Sequence, residues 1–307
     1  MRLGVQLYSV REAMQYSVAD TLRQVAAAGY DTAEIWDPQT SAAAGTYGGL
    51  AAAELRERAG EAGLRLAGAQ VRGLTPDTMA PVAAFYAAAG CAHVTIPIGY
   101  YPTLDVLGQR LRDYAEMGRI ARDHGLRLLY ANHYHEFQLL GGQTVLDRLL
   151  AGTDPELFGL TFNPYWTMRG ALDPLAVFRQ VADRVEALEV QDFPYDEIDK
   201  ISAWDFRRHH PIARNIRRDV PLKGGEIENI HPVHCRLFTE VGDGILKIEP
   251  LLRAAAAAGR VRYVFLRQDF SRLPSEFESI RIGLENVRRD NAAVLDKPAK
   301  PPLQEVS

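Results

Sequence analysis

The residues of this chain best suited to chemistry sit at the ends of apolar runs. Arg262–Asp269 (RYVFLRQD) is the plainest case: a core-like run is followed by a cation, an amide and a carboxylate, Arg267, Gln268 and Asp269. Arg and Asp are seldom fully buried without a partner, so such a tip is either a strand mouth facing a pocket or an exit into solvent. Leu126–His133 (LRLLYANH) closes on His133, whose ordinary pKa near neutrality suits acid–base work or a rim hydrogen bond. His231 and His234, with Cys235 beside them, have a spacing that could clip a metal, but no second pair of ligands accompanies them. His209 and His210 lie in a basic run that reads as solvated surface or as an assembly interface.

The elements that must position these groups are regular. Apolar runs rich in strand formers occur at Leu3–Val10, Thr32–Trp36, Leu64–Val71, His93–Gly99, Leu126–His133, Phe158–Trp166, Val185–Asp192 and Arg262–Asp269. Helical patterns separate them: Ser17–Gly29, Ala51–Gly63, Thr78–Gly90, Leu104–Gly125, Thr144–Gly152, Pro174–Arg184 and Ile245–Gly259, with a last helix at Ser275–Asp290. Gly29, Gly63, Gly90, Gly125, Gly152 and Gly259 each end a helix, which suits a left-handed C-cap. Strands alternating with helices imply a parallel sheet, and eight such units in this length imply a closed (β/α)8 TIM barrel forming a single domain over residues 1–290. A doubly wound open sheet is the alternative, but its G-x-G-x-x-G fingerprint is absent after the first strand, where VQLYSVRE stands, and there is no P-loop.

Two segments depart from the repeat. Phe193–Leu237 is a long aromatic, basic and histidine-rich connection after the seventh strand, of the length used for lids, binding loops or assembly elements. Residues 291–307 are Pro/Lys-rich without periodicity and are expected to form a flexible tail.

Bulk properties narrow the partners. The 307 residues are 47% hydrophobic and 24% charged, ordinary values for a soluble globular protein. A net charge of −4 gives no general pull toward nucleic acid or anionic membrane. Cys91 and Cys235 define neither a disulfide framework nor a zinc spacing, so a reducing cytoplasm is expected. MRLGVQLYSV lacks the features of a signal peptide, and no apolar run approaches a membrane span.

In a barrel of this kind the pocket lies at the C-terminal strand ends. These ends carry Gln6 and Tyr8, Glu34 and Trp36, Gln70, Ala131 and His133, Asn163 and Trp166, Glu189 and Asp192, and Arg267. Aromatic faces among amides and carboxylates suit a sugar or cyclitol, whose C–H faces stack and whose hydroxyls need convergent donors and acceptors. Tyr8, Trp36 and Trp166 could equally be core residues of the barrel rim.

GVQLYSVR, ANHYHEF, TDPELFGLTFNPYW, RVEALEVQD, FTEVGDG, FLRQD and ESIRIGLENV, in this order, resemble the sugar phosphate isomerase/epimerase family, a group of xylose isomerase-like TIM barrels. The resemblance runs from Met1 to Asp290, with Phe193–Leu237 longer than usual. It implies a small-molecule sugar or sugar derivative as substrate and proton transfer next to a carbonyl. It also implies one divalent metal, Mn2+ or Mg2+, held by Glu, Asp, His and Glu at successive strand ends. Carried over, those four positions are Ala131, Asn163, Glu189 and Arg267, whereas Asn132, His133, Glu136, Trp166, Asp192, Gln268 and Asp269 match the family pattern.

A hard cation wants about three or four anionic or imidazole ligands from the protein, and a guanidinium is permanently charged and donates only. No metal or other cofactor is therefore expected at these strand ends. Three arrangements of Glu189 and Arg267 remain open. They form an ion pair across the mouth; or Arg267 grips a substrate carboxylate, phosphate or enolate oxygen while Glu189 is the general base; or they do not meet. The expected catalytic set is Glu189, His133 and Arg267, with Gln6, Tyr8, Glu34, Trp36, Asn163, Trp166, Asp192 and Gln268 contacting substrate. The function expected is that of a sugar or cyclitol isomerase, epimerase or related lyase with a metal-free or rebuilt site. The alternative is a sugar-binding pseudoenzyme, or the partner subunit of an active paralogue, assembling through residues 193–237. Type 2 apurinic endonucleases share the fold, but their chemistry needs a cluster of histidines and carboxylates that these strand ends do not supply.

Overall fold

A computed structural model gives the structure, and it describes residues 1–203 and 237–295. Among these, eight strands close into a barrel: β1 (Arg2–Gln6), β2 (Thr32–Asp37), β3 (Arg65–Val71), β4 (His93–Ile96), β5 (Arg127–Ala131), β6 (Phe158–Phe162), β7 (Val185–Val190) and β8 (Tyr263–Leu266). They lie in sequence order, all neighbours are parallel, and β8 closes onto β1 with Arg2 opposite Tyr263 and Val5 opposite Leu266. This is the (β/α)8 TIM barrel that the alternation of elements implies.

The strands end earlier than their apolar runs. Leu7–Val10 turns into a 3-10 helix, and β6 stops at Phe162 because Pro164 starts a helix, Pro164–Arg169, whose N-cap is Asn163. Pro has no N–H to lose in a first helical turn, which is also why the third expected helix begins at Pro76, with Thr75 as cap, rather than at Thr78. The last helix runs from Glu276 to Leu295, with Asn291 and Val294 buried, so the expected tail does not begin at residue 291. Residues 296–307 lie outside the described residues. A two-residue-strand hairpin, Leu139–Leu140 with Gln143–Thr144, sits in the loop after β5.

Gly29, Gly63, Gly90, Gly125 and Gly259 adopt the left-handed conformation after their helices. Gly152 does not. A Cβ there would lie 2.6 Å from Leu111 Cδ1, so close approach of two helices, not backbone freedom, demands glycine.

Leu128, Tyr130, Leu160, Phe162, Leu188 and Val264 point out of the barrel into the layer shared with the helices. Inside it, Ala67, Leu129, Ala187 and Phe265 form a small apolar plug, capped by Tyr263. Above the plug the interior turns polar, and there the candidate site begins.

Candidate active site

Side chains alternate inward and outward along a barrel strand, so Phe265 and Arg267, and Ala187, Glu189 and Gln191, climb from the plug toward the mouth. Arg267 and Glu189 meet: Nη1 of the guanidinium donates to Glu189 Oε1 at 3.0 Å, with the two side chains 7% and 0% exposed. The same guanidinium grips Asp269 through Nε (2.5 Å) and Nη2 (3.4 Å). Burial works against the charged guanidinium, but Asp269 and Glu189 outweigh it and raise the Arg267 pKa. The two side chains form an ion pair, and the arrangement in which they do not meet is excluded.

Glu189 takes two further donors. Asn163 Nδ2 reaches Oε1 at 2.9 Å, and Gln70 Nε2 bonds to Oε2. Gln70 Nε2 is shared, because it also donates to Glu34 Oε2 at 2.9 Å. The other oxygen of Glu34 accepts from His93 Nε2 at 2.9 Å and from Thr95 Oγ1 at 3.4 Å. His93 in turn packs on the rings of Tyr263 and Phe265, with centroids 5.6 and 6.0 Å apart. A continuous polar chain thus runs from the apolar plug to the rim: His93, Glu34, Gln70, Glu189, Arg267, Asp269. Burial, ahead of the opposing Arg267 charge, raises the Glu189 pKa above the ordinary carboxylate value, and the nearby Glu34 charge adds to the rise.

The mouth is walled by aromatic rings. Arg267 lies 4.4 Å from the centroid of Tyr8, Arg11 lies 4.3 Å from it, and Trp36 meets the same ring edge-on at 5.1 Å. On the other side His133 stacks on Trp166 at 5.2 Å. Burial drives the His133 pKa down from 6.5 to about 3, so this imidazole is neutral at physiological pH and cannot act as a cationic acid. The structure places His133 at the mouth, stacked on Trp166, with its Nδ1 unpaired among the described residues. Its loop is fixed by Glu136, which accepts from the His133 N–H (2.7 Å), from His135 (3.0 Å) and from the Tyr130 hydroxyl. Burial would raise the Glu136 pKa, but His135 and the remaining partners hold it below the ordinary value.

Five buried polar atoms on these strand ends have no partner among the described residues: Gln70 Oε1, His133 Nδ1, Thr161 Oγ1, Trp166 Nε1 and Gln191 Nε2. Buried polar groups in folded proteins are nearly always bonded, so an unpaired set at a barrel mouth marks a surface able to bind hydroxyl and carbonyl groups.

Several expected substrate contacts hold partners within the protein. Asp192 accepts from four backbone N–H groups: Phe193 (2.8 Å) and Leu246 (2.9 Å) on one oxygen, Gly242 (3.0 Å) and Gly244 (3.1 Å) on the other. It is a clamp for the loop ahead of the Ile248–Ala258 helix. Gln6 turns back to its own loop, accepting from the Tyr8 N–H at 2.5 Å, and Gln268 Nε2 donates to the Phe270 carbonyl at 2.7 Å. Glu34 is fully buried and its oxygens are taken by Gln70, His93 and Thr95. Asn163 holds Glu189, and Trp36 and Trp166 stand on the rim. His93, Thr95, Thr161 and Gln191 were not singled out from sequence. Gln191 shares parity with Glu189, and that was a usable signal; His93 was hidden because it lies at the start of β4. It fits only because Gly68 faces it: a Cβ at Gly68 would lie 2.1 Å from His93 Nε2. His209, His210, His231, His234 and Cys235 lie outside the described residues, as does most of the 193–237 connection.

The four positions that correspond to a metal quartet do not suit a divalent ion. Ala131 has no donor, Asn163 offers a neutral amide already bonded to Glu189 and Gln191, and Arg267 places a fixed cation 3.0 Å from the one carboxylate. Among the described residues no three His, Cys, Asp or Glu side chains converge as a metal site. Nor is any described helix long and apolar enough to cross a membrane.

Comparison with known proteins agrees with the fold. The chain matches two inosose dehydratases in part: that of Lacticaseibacillus casei at 22% identity over 47% of this chain, and that of Geobacillus kaustophilus at 28% over 43%. The matched stretches span only 40% and 35% of those relatives' lengths. A sugar phosphate isomerase/epimerase from Parabacteroides distasonis superposes with a TM-score of 0.71 at 16% identity, covering 96% of this chain and 95% of that one. A 3-keto-D-glucoside 4-epimerase from E. coli superposes with a TM-score of 0.62 at 12% identity, covering 94% and 99%. Residues 22–263 match the pattern of the xylose isomerase-like TIM barrels, and the chain belongs to that family.

Proposed function

We propose that this protein acts on a sugar or cyclitol next to a carbonyl group, as an isomerase, epimerase or related lyase, with an arginine where relatives would place a metal ligand. The observation that carries the reading is the Glu189–Arg267 contact of 3.0 Å, set among unpaired polar atoms at the barrel mouth. Burial raises the Glu189 pKa and so makes it a stronger base than an exposed carboxylate. Glu189 takes the proton from the carbon beside the carbonyl. The electron pair moves onto the carbonyl oxygen, and the remaining N–H groups of Arg267 hold the enolate. A proton delivered from solvent to the opposite face of the same carbon gives the epimer, and one returned to the neighbouring carbon gives the isomer; departure of the β-hydroxyl as water, with the proton held by Glu189, gives dehydration. The similarity to inosose dehydratases supports a keto-cyclitol among the candidate substrates.

One observation favours a second reading, a sugar-binding protein without turnover: Glu189 already accepts from Arg267, Asn163 and Gln70, which steadies its ionised form. Incubation of the chelator-treated protein with keto-sugars and inososes in D2O separates the two. The first reading predicts incorporation of deuterium beside the carbonyl, falling about 10²-fold or more in Glu189→Gln. Binding of a panel member, seen as a thermal shift without exchange, selects the second. Neither exchange nor binding by any member overturns both.

A further inference from the structure

We propose that Glu34 and His93 are positioning residues for Glu189, acting through Gln70; the inference rests on Glu189 being the working carboxylate. The geometry leaves Gln70 only one orientation. Its Nε2 faces two carboxylates, Glu34 (2.9 Å) and Glu189, and an ionised carboxylate only accepts. The amide nitrogen must therefore point at both, and the amide oxygen is turned away, where it is buried without a partner among the described residues. Gln70 is thus a strut between the two glutamates, and the position of Glu189 depends on what fixes Glu34.

Glu34 is fixed from behind. His93 Nε2 donates to Glu34 Oε1 at 2.9 Å, Thr95 Oγ1 donates to the same oxygen at 3.4 Å, and all three side chains are buried. Facing a carboxylate oxygen, the nitrogen that His93 presents is assigned the hydrogen; the network, not a visible proton, assigns this tautomer. His93 cannot swing away, because it is packed between the absent side chain of Gly68 and the rings of Tyr263 and Phe265. A register shift between Ala33 and Glu34, where β2 pairs with β3, brings Glu34 opposite Gly68. The anchor for a carboxylate at the rim therefore lies at the apolar plug, three side chains below it. Glu34 Oε1 is taken by His93 and Thr95 and its Oε2 by Gln70, so Gln70 is the hydrogen-bonded link from this pair to Glu189.

The test uses His93→Phe, which removes the donor while keeping a ring, and His93→Gln, whose amide nitrogen can replace it. With the panel member that shows exchange, His93→Phe should lower kcat about tenfold with KM within about twofold, and His93→Gln should recover most of the loss. Equal kcat in wild type and His93→Phe, with only the melting temperature changed, would overturn the proposal. If the wild type shows no exchange, the proton-transfer reading has failed, and the positioning role is read from the Gln70 side-chain amide by NMR, its resonances assigned by their loss in Gln70→Leu. Held between two carboxylates, the Gln70 amide protons should exchange slowly with solvent, and His93→Phe should speed that exchange at least tenfold where His93→Gln does not. An unchanged rate in His93→Phe would show that His93 does not hold the strut.

Discussion

Arg267 carries two carboxylates at once, and its removal is the clearest test at the scale of single residues. Arg267→Met would leave Glu189 and Asp269 buried beside each other without their shared cation. Breaking a buried pair from one side costs about 3–5 kcal/mol, because the surviving charge has lost both water and partner. The expected result is a melting temperature lower by about 10 °C, at roughly 2–4 °C per kcal/mol for a domain of this size. Arg267→Lys keeps the charge but not the fork that holds Asp269 through two nitrogens, so its loss should be smaller. Equal melting temperatures for wild type and Arg267→Met would refute the idea that the pair is integral to the fold. His133 offers a second measurement. Burial takes its pKa from 6.5 to about 3, so its ring resonances should keep the neutral pattern in an NMR titration from pH 8 down to about pH 5. A midpoint near neutrality would restore His133 as a candidate acid.

At the scale of elements, strand ends and loops divide the carboxylates into different tasks. Asp192 shows this, since three of its four backbone N–H partners, Gly242, Gly244 and Leu246, tie the end of β7 to the loop Gly242–Leu246. A Cβ at Gly244 would lie 2.3 Å from Asp192 Oδ1, so glycine is required for the loop to come so near. Burial raises the Asp192 pKa from 3.8 to about 6, against the lowering effect of those N–H groups. The folded state therefore binds this proton more tightly than the unfolded chain does. The stability it lends is full below the unfolded value and is lost as pH rises to about 6, an effect of at most ~3 kcal/mol at ~1.4 kcal/mol per unit. Urea unfolding of wild type and Asp192→Asn at pH 4 and pH 7 should show the wild type losing stability relative to the variant as pH rises. A constant difference would mean that Asp192 titrates normally. The barrel itself was legible because each strand is an apolar run and five of six helix-ending glycines take the left-handed turn. The strand ends put Glu189, Arg267 and Asn163 at one barrel mouth, but which of the three open arrangements Glu189 and Arg267 adopt is set by side-chain packing that no strand pattern displays. The clamp role of Asp192 was not legible either, because the loop it holds lies some fifty residues away in sequence, beyond any local pattern. His93 was missed for a related reason: its burial depends on Gly68 across a strand pair, and on a register shift that no hydrophobic pattern displays.

At the scale of the whole molecule, the question is what a guanidinium at the barrel mouth does to the thermodynamic response of the fold. A ligand that binds only the folded state stabilises it by RT ln(1 + [L]/Kd), so a metal at about a hundredfold its Kd adds about 2.7 kcal/mol. In a barrel of this size that is a rise of roughly 5–10 °C in melting temperature, easily measured. Here the position for such an ion is lined by Ala131, an amide committed to Glu189 and Gln191, and a fixed cation 3.0 Å from Glu189. Bringing a divalent ion to Glu189 would set it against Arg267 and leave Asp269 as the only anionic partner of that arginine among the described residues. The like-charge repulsion and the lost ion pair both oppose binding. Manganese, magnesium and zinc should therefore each leave the melting temperature of the purified protein within about 1 °C of the chelator-treated sample, and metal analysis should find no stoichiometric ion. The triple variant Ala131→Glu, Asn163→Asp, Arg267→Glu supplies three carboxylates in place of a methyl, an amide and a cation. If it folds, it should gain a manganese-dependent rise that wild type lacks. A stoichiometric ion in wild-type protein, lost together with the thermal shift in Glu189→Gln, would show that Arg267 yields its place and that the strand ends bind metal after all.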